Sequence, residues 1–350
     1  MRGAVVKAAT IKDVAARAGV SVASVSRVLN DQGVVGEDVR ARVMEAVEAL
    51  SYVPNSGARS LITRRTDTVG VILPDLFGEF FSELIRGMDR AAREKRLHLI
   101  VSSSHDDAEE ASFAIKSMRG RVDGLIILSP HLDAAALAAS LPKSLPVLLM
   151  NGGARDVERS SITVDNHGGA EAMTKHLLEQ GGRRVAHVAG PVGNLEAEAR
   201  RAGYLAAMQT AGIDPVVLDG DFDQASGYWA GAAIAAMDIR PDAVFAGNDM
   251  MAVGVLLALQ EAGLRCPEDV AVGGFDDVPI ASLVRPALTT MKIDIAETGR
   301  RALERLVGLI DADGDVVPDH EIVRPTLVAR QSSSSNGGKS GSKSALAQGG

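Results

Sequence analysis

The chain has 350 residues, 46% of them hydrophobic, which is apolar material for two or three packed domains, and its single cysteine, Cys266, excludes an intramolecular disulfide or a cysteine-rich metal site. Apolar runs such as "VDGLIIL" and "LPVLLM" stop well short of the roughly twenty residues that span a bilayer, and Lys7 interrupts the N-terminal one, so neither a membrane partner nor secretion is expected and the cytoplasm is the expected compartment. The net charge of −8 is an average: residues 1–65 carry 10 Lys+Arg and 6 Asp+Glu, net +4, leaving 27 and 39, net −12, for the rest. A basic head on an acidic body brings only the head to a polyanion.

Residues 1–9 read as a flexible N-terminus. Residues 10–53 carry helical patterns only. Thr10 with Asp13 is a capping-box start for a stripe of Ile11, Val14, Ala15 and Ala18, and Gly19 breaks it. Ser21 can cap a second helix that turns Val25, Val28 and Leu29 inward and Val22, Ala23, Ser24 and Ser26 outward. A third, from Glu37 to about Ser51, closes the core with Val39, Val43, Ala46, Val47 and Leu50. This is a helix-turn-helix pattern, open to two readings. In one, small and polar residues at the start of the second helix approach base edges; in the other, a three-helix protein-binding module solvates its serines. The positive charge favours DNA.

Residues 54–66 form a linker of unusual composition, one leucine, Leu61, among Arg59, Arg64 and Arg65. From 67 to 330, short apolar runs alternate with helical patterns in two series, "TVGVILPD" to "VDGLIIL" and "RRVAHVAG" to "DVAVGGFDD". Such alternation predicts two α/β lobes of parallel sheets flanked by helices, with a ligand outside the carboxyl ends of the strands. Arg200, Asn248 and Asp276 supply the mixed donors and acceptors that vicinal hydroxyls or a small polar ring need. Of the adjacent Phe80 and Phe81, one is expected in the core and one in the pocket. Asp277 is expected in a structural or surface role, Cys266 as a structural thiol, and His167, His176 and His187 as solvated or satisfied. Residues 331–350, Ser/Gly-rich, are expected to be a disordered tail.

Two other classes fit parts of this pattern. A sugar hydrolase or kinase fits two lobes with an Asp-containing cleft, but the chain has no phosphate-loop, dinucleotide, nucleophile-elbow or metal-ligand motif; no enzyme activity, cofactor or metal is expected. A secreted sugar-binding protein fits the body and not the basic head.

The stretches "TIKDVAARAGVSVASVSRVLN" and "RARVMEAVEALSYVPNSGARSL", with "VDGLII", "GND" and "GFDD" after them in order and spacing, resemble the lactose-repressor (LacI/GalR) family of bacterial transcription regulators, to about Arg330. The resemblance implies an all-α helix-turn-helix DNA-binding head on a two-lobe α/β body like the periplasmic binding proteins. It further implies a repressor, acting as a homodimer or a tetramer on a near-palindromic double-stranded operator, whose affinity is set by a small effector, a sugar or sugar phosphate. Val22, Ala23 and Arg27 match the base-reading positions, with Ser26 on the same face, and Thr10, Ser21 and Asn30 the phosphate-contacting ones. Leu61 matches a minor-groove wedge, and Arg59 its phosphate or groove contact. Phe81, Asn151, Asn194, Arg200, Phe222, Asn248 and Asp276 match effector-binding positions. Gly36 and Gly57 depart from the family, which has a hydroxyl cap at the first and a larger apolar side chain at the second.

Overall fold

A computed structural model describes residues 9–29, 35–52, 65–105, 107–128, 141, 144–150, 159–312, 314 and 316–334. The chain divides into two compact units, the first ending at Thr66 and the second starting at Asp67. The predicted hinge contacts at Arg59 and Leu61, together with Asn30, Gly57 and Asn151, lie outside the described residues.

The first unit holds helices α1 (Ile11–Ala18), α2 (Val22–Leu29) and α3 (Glu37–Ala49). Thr10 and Asp13 close the capping box of α1, and Gly19 ends that helix with φ 65°, a left-handed conformation that glycine adopts without steric cost. The hydroxyl of Ser21 accepts from the Ser24 amide at 3.1 Å at the start of α2. Gly36 N-caps α3 without a side-chain bond. Val14, Ala15, Ala18, Val25, Val28, Val43 and Ala46 form the core these helices enclose.

The second unit contains two six-stranded sheets. The first is built from β1 (Thr68–Leu73), β2 (His98–Ser103), β3 (Gly124–Leu128), β4 (Val147–Met150), β5 (Ser161–Val164) and β11 (His320–Val323), in the order β11-β5-β4-β3-β1-β2 and wholly parallel. The second has β6 (Val185–Val188), β7 (Val216–Leu218), β8 (Ala243–Ala246), β9 (Ala271–Asp276), β10 (Thr289–Lys292) and β12 (Thr326–Val328), in the order β12-β10-β9-β8-β6-β7, with only β12 antiparallel. Central strands such as β3 and β8 are buried along their whole length, because parallel sheets are covered by helices on both faces.

Those helices are α4 (Glu79–Glu94), α5 (Ala108–Met118), α6 (Asn166–Glu179), α7 (Leu195–Ala211), α8 (Gln224–Ala235), α9 (Asp249–Glu261), the short α10 (Ile280–Leu283) and α11 (Ile295–Asp311). The chain passes between the sheets after β5, after β10 and after β11, so three short crossovers join the lobes. Three helix pairs cross at backbone contact. A Cβ added at Gly87 of α4 would sit 1.8 Å from the Ala296 carbonyl of α11, one at Gly203 of α7 2.2 Å from the His167 carbonyl of α6, and one at Gly254 of α9 2.1 Å from the Gln224 carbonyl of α8.

The ordered body runs past the expected start of the tail at 331. Ser332 and Ser333 are buried. The Ser332 hydroxyl donates to the Val272 carbonyl at 2.5 Å and accepts from the Thr289 amide at 2.8 Å, while Ser333 meets Thr289 Oγ1 at 2.7 Å and His176 Nε2 at 2.8 Å. Serine composition reads as solvated until a sheet edge supplies partners. Cys266 belongs to the same corner: its thiol donates to the Ser332 carbonyl, and burial pushes it up to about 12, which keeps it unreactive.

The glycine crossings give a paired expectation. Gly254→Val drives a side chain into backbone and lowers the stability of the body by about 1–3 kcal/mol or more. Gly308→Ala, on α11 where an added Cβ meets nothing within 4 Å, raises it by up to about 1 kcal/mol. Urea unfolding midpoints of the two variants measure both.

Candidate DNA interface and effector site

In the head, Thr10, Ser21, Val22, Ala23 and Arg27 are exposed, and Ser26 is half-buried. Val22 and Ala23 open α2, and Arg27 follows Ala23 one turn later on the same side, because residues three or four apart share a helix face. Thr10 also holds its own helix start: its hydroxyl donates to Asp13 Oδ2 at 2.7 Å.

In the body, polar groups that follow the carboxyl ends of the strands converge on Arg200. This arginine stands on α7, and only 4% of its surface is exposed. Nε donates to Asn166 Oδ1 at 2.8 Å, Nη1 to the Gly247 carbonyl at 2.5 Å and Nη2 to Asp276 Oδ1 at 3.1 Å. The guanidinium lies over the Phe275 ring at 3.9 Å, with the Phe222 ring 5.5 Å away. It thereby ties the crossover after β5 to the ends of β8 and β9. At the end of β9, Asp276 has φ 108° and Asp277 φ 58°, conformations of a kind that cost about 1–3 kcal/mol each. Arg200 holds Asp276 there, and Arg330 pairs with Asp277 at 2.7 Å, a structural role.

Asn194 and Asn248 are N-caps. Asn194 Oδ1 accepts from the Glu196 and Ala197 amides at the start of α7, and Asn248 Oδ1 from the Met251 amide at the start of α9. Asn248 Nδ2 also donates to the Phe222 carbonyl at 2.8 Å, fixing the loop that carries the Phe222 ring. Phe80 and Phe81 meet edge to face at 5.5 Å and are both half-buried against the body's core, in place of the expected division into one core and one pocket residue. Beside them Glu79 Oε2 accepts from the Ile280 amide at 3.2 Å, which brings the start of α4 to the start of α10 and so joins the two lobes.

Four participants escaped the reading of the sequence. Asn166 and Phe275 build the Arg200 seat, and the buried Asp249 accepts from the Val278 amide at 2.9 Å and Thr290 Oγ1 at 2.5 Å. Glu196 is the fourth: its Oε1 is shut off from solvent without a hydrogen-bond partner. Burial raises its carboxyl to about 7 against the pull of Arg200, and raises Asp276 to about 6 despite the same guanidinium. The position of Glu196 one turn before Arg200 was the available signal. His187 is satisfied at one nitrogen only, Nδ1 meeting the Phe245 carbonyl at 3.0 Å. It is fully buried, stacked between Tyr204 at 5.1 Å and Phe245 at 4.8 Å, with Nε2 unpartnered, and burial lowers it to about 4.

A helix-turn-helix head and a two-lobe body with a buried polar seat at its strand ends define a ligand-responsive DNA-binding protein. Residues 10–55 match the bacterial regulatory proteins of the lacI family, and residues 174–333 match a periplasmic binding protein-like domain. The chain is 35% identical over 325 residues to the ribose operon repressor of Escherichia coli, covering 91% of this chain and 94% of the relative. It is 34% identical over 330 residues to the transcriptional repressor PurR of Erwinia tasmaniensis, covering 93% and 96%. Among solved structures, a lac repressor dimer bound to operator and the anti-inducer ONPF shares the fold at TM-score 0.85 and 30% identity, covering 94% of this chain and all of that one. A complex of the regulator CelR with cellobiose does so at TM-score 0.69 and 32% identity, covering 93% and 99%. The chain belongs to the lacI family of bacterial transcription regulators. It is a DNA-binding regulator with an effector-binding body.

Two expectations test the buried seat. Arg200→Ala removes the partner of the buried Asp276 and lowers stability by about 3–5 kcal/mol, and adding Asp276→Ala recovers part of that loss in a double-mutant cycle read by urea unfolding. The folded-state values of Glu196 and Asp276 lie above ordinary carboxylate values, so their contribution is complete below about pH 4 and is lost as pH rises through 6 to 7. Glu196→Gln therefore flattens stability against pH across that window and is the more stable form above pH 7.

Proposed function

We propose that this chain is a homodimeric repressor that reads a near-palindromic operator with α2 and releases or grips it according to a sugar bound beside Arg200. The observation that carries the reading is the union in one chain of an exposed Val22–Ala23–Arg27 face with a buried seat of mixed donors and acceptors at Arg200 and Asp276. Val22 and Ala23 suit thymine methyls. Arg27 is the side chain able to make a bidentate contact with guanine. Two copies of such a head match half-sites about one helical turn apart.

Similarity to a ribose operon repressor and to a cellobiose complex supports the sugar, and the lac repressor dimer on its operator supports the twofold assembly. Exposed Leu257 on α9 and Leu283 on α10 give that dimer apolar surface to bury. The predicted roles of Asn30, Arg59 and Leu61 on DNA and of Asn151 on the effector remain part of the proposal. So do the division of the chain at 10–53, 54–66 and 67–330, the absence of enzyme activity and the cytoplasmic setting. No described helix is long and apolar enough to cross a membrane.

Selection of binding duplexes from a random pool tests this. The selected sites are expected to be inverted repeats, and Arg27→Ala to weaken binding by about 1–3 kcal/mol and relax one base pair in each half-site. Selection of no preferred sequence would falsify the operator reading. Operator affinity unmoved by every saturating sugar tried would exclude the sugar as effector.

A further inference from the structure

Exposed cations gather at the amino end of the first sheet. β1, β2 and β3 are neighbours and parallel, with Thr68 level with His98 and Val69 with Gly124, so the residues that precede them lie side by side. Backbone bonds hold them there: the His98 amide donates to the Asp67 carbonyl at 2.9 Å and the Asp123 amide to the Thr68 carbonyl at 2.8 Å. Neighbouring strands lie about 4.8 Å apart, so the three approaches span about 10 Å.

These approaches carry Arg93, Lys95, Arg96, Arg119 and Arg121, all exposed, with the exposed His98 opening β2. Asp67 and Asp123 between them are half-buried and engaged within the fold. Arg93 pairs with Asp89 at 2.9 Å, but Lys95, Arg96, Arg119 and Arg121 have no ion pair among the described residues. By contrast Arg86, Arg265, Arg300 and Arg305 of the same body each face a carboxylate. Arg96 also borders an open depression of about 490 Å³ between α4 and β2, with Arg93, His98, Leu97, Leu99 and Asp89 around it, room enough for a phosphate group.

The net charge of −12 over the body conceals this face. The chain from the head enters the body at the same end, because Asp67 leads into β1, and the 13 residues 54–66 reach at most about 45 Å. A duplex held by the head is tethered within that reach, and a uniformly acidic body would be repelled by it. Unpaired arginines at the point of entry turn that repulsion into attraction. Arginine meets phosphate with paired donors, and duplex DNA offers a phosphate per about 3.4 Å of each strand, so a face of about 10 Å meets about three.

We propose that this amino-end face, centred on Arg96, Arg119 and Arg121, is a second DNA-binding surface of the chain. It grips the phosphate backbone of the duplex that the head reads and adds affinity without sequence preference. The inference goes beyond the operator reading, which gives DNA contact to the head and linker alone.

The test joins Arg96→Gln, Arg119→Gln and Arg121→Gln in the full-length protein. Affinity is measured by fluorescence anisotropy for a selected duplex and for an unrelated one of equal length, across about 50–200 mM potassium chloride. The triple variant is expected to bind both duplexes about tenfold more weakly, with the slope of log affinity against log salt shallower by about 2 and the ratio between duplexes unchanged. A charge-matched variant of exposed second-lobe residues, Arg183→Gln, Arg240→Gln and Arg265→Gln, is expected to keep the wild-type slope. If the triple variant melts early, its three single substitutions decide the matter, each expected to make about a third of the change.

Wild-type affinity and slope on both duplexes overturn the proposal. So does an equal loss in the second-lobe variant, which assigns the effect to net charge. A wild type that does not prefer the selected duplex defeats the operator reading instead, and the unrelated duplex still decides this inference.

Discussion

The buried Arg200 guanidinium constrains everything around it. A cation removed from water is tolerated only where acceptors and an opposite charge surround it, and here these come from three separate places: Asn166 after β5, the Gly247 carbonyl after β8 and Asp276 at the end of β9. The Phe275 face below adds a cation–π contact. Each partner is a strand end or a crossover, so the buried seat and the joints of the body are built from the same residues. On the proposed function, a ligand that recruits Asp276 acts through Arg200 on Asn166, beside the point where the chain passes from one sheet to the other. That is a physical route from binding to lobe rearrangement, available to any ligand that favours one arrangement.

Around this seat the lobes are stiff. Glycines at 87, 203 and 254 bring paired helices to backbone contact, leaving little room for sliding, and the central strands are buried over their length. The lobes are linked by the crossovers near residues 165, 293 and 324 and by contacts such as Glu79 with Ile280. The strained backbone at Asp276 and Asp277 lies beside one of these points, held by Arg200 and Arg330. Strain kept at a site in this way favours two discrete arrangements over gradual deformation.

The head follows a different economy. Its core is seven small or β-branched side chains, and much of its definition is local: the Thr10–Asp13 capping box, the left-handed Gly19 and the Ser21 hydroxyl on the Ser24 amide. With the termini satisfied locally, the outer face of α2 stays free of structural duty. Val22, Ala23 and Arg27 can then differ without weakening the fold.

Local and periodic features were therefore legible in the sequence by itself. The helix starts at Thr10 and Ser21, the stop at Gly19, the alternation of strand and helix and the placing of Arg200, Asn248 and Asp276 just beyond or at strand ends all follow from patterns within a few residues. Only the tertiary structure decided what those polar residues touch. Arg200 finds Asn166 34 residues away and Asp276 76 residues away, Phe80 and Phe81 share one packed role, and Ser332 and Ser333 leave an apparent tail to satisfy β9, β10 and His176. Glu196 looked like one more helix-surface charge. Enclosure of its Oε1 without a partner, which no local pattern encodes, sets it apart from the other acids of α7.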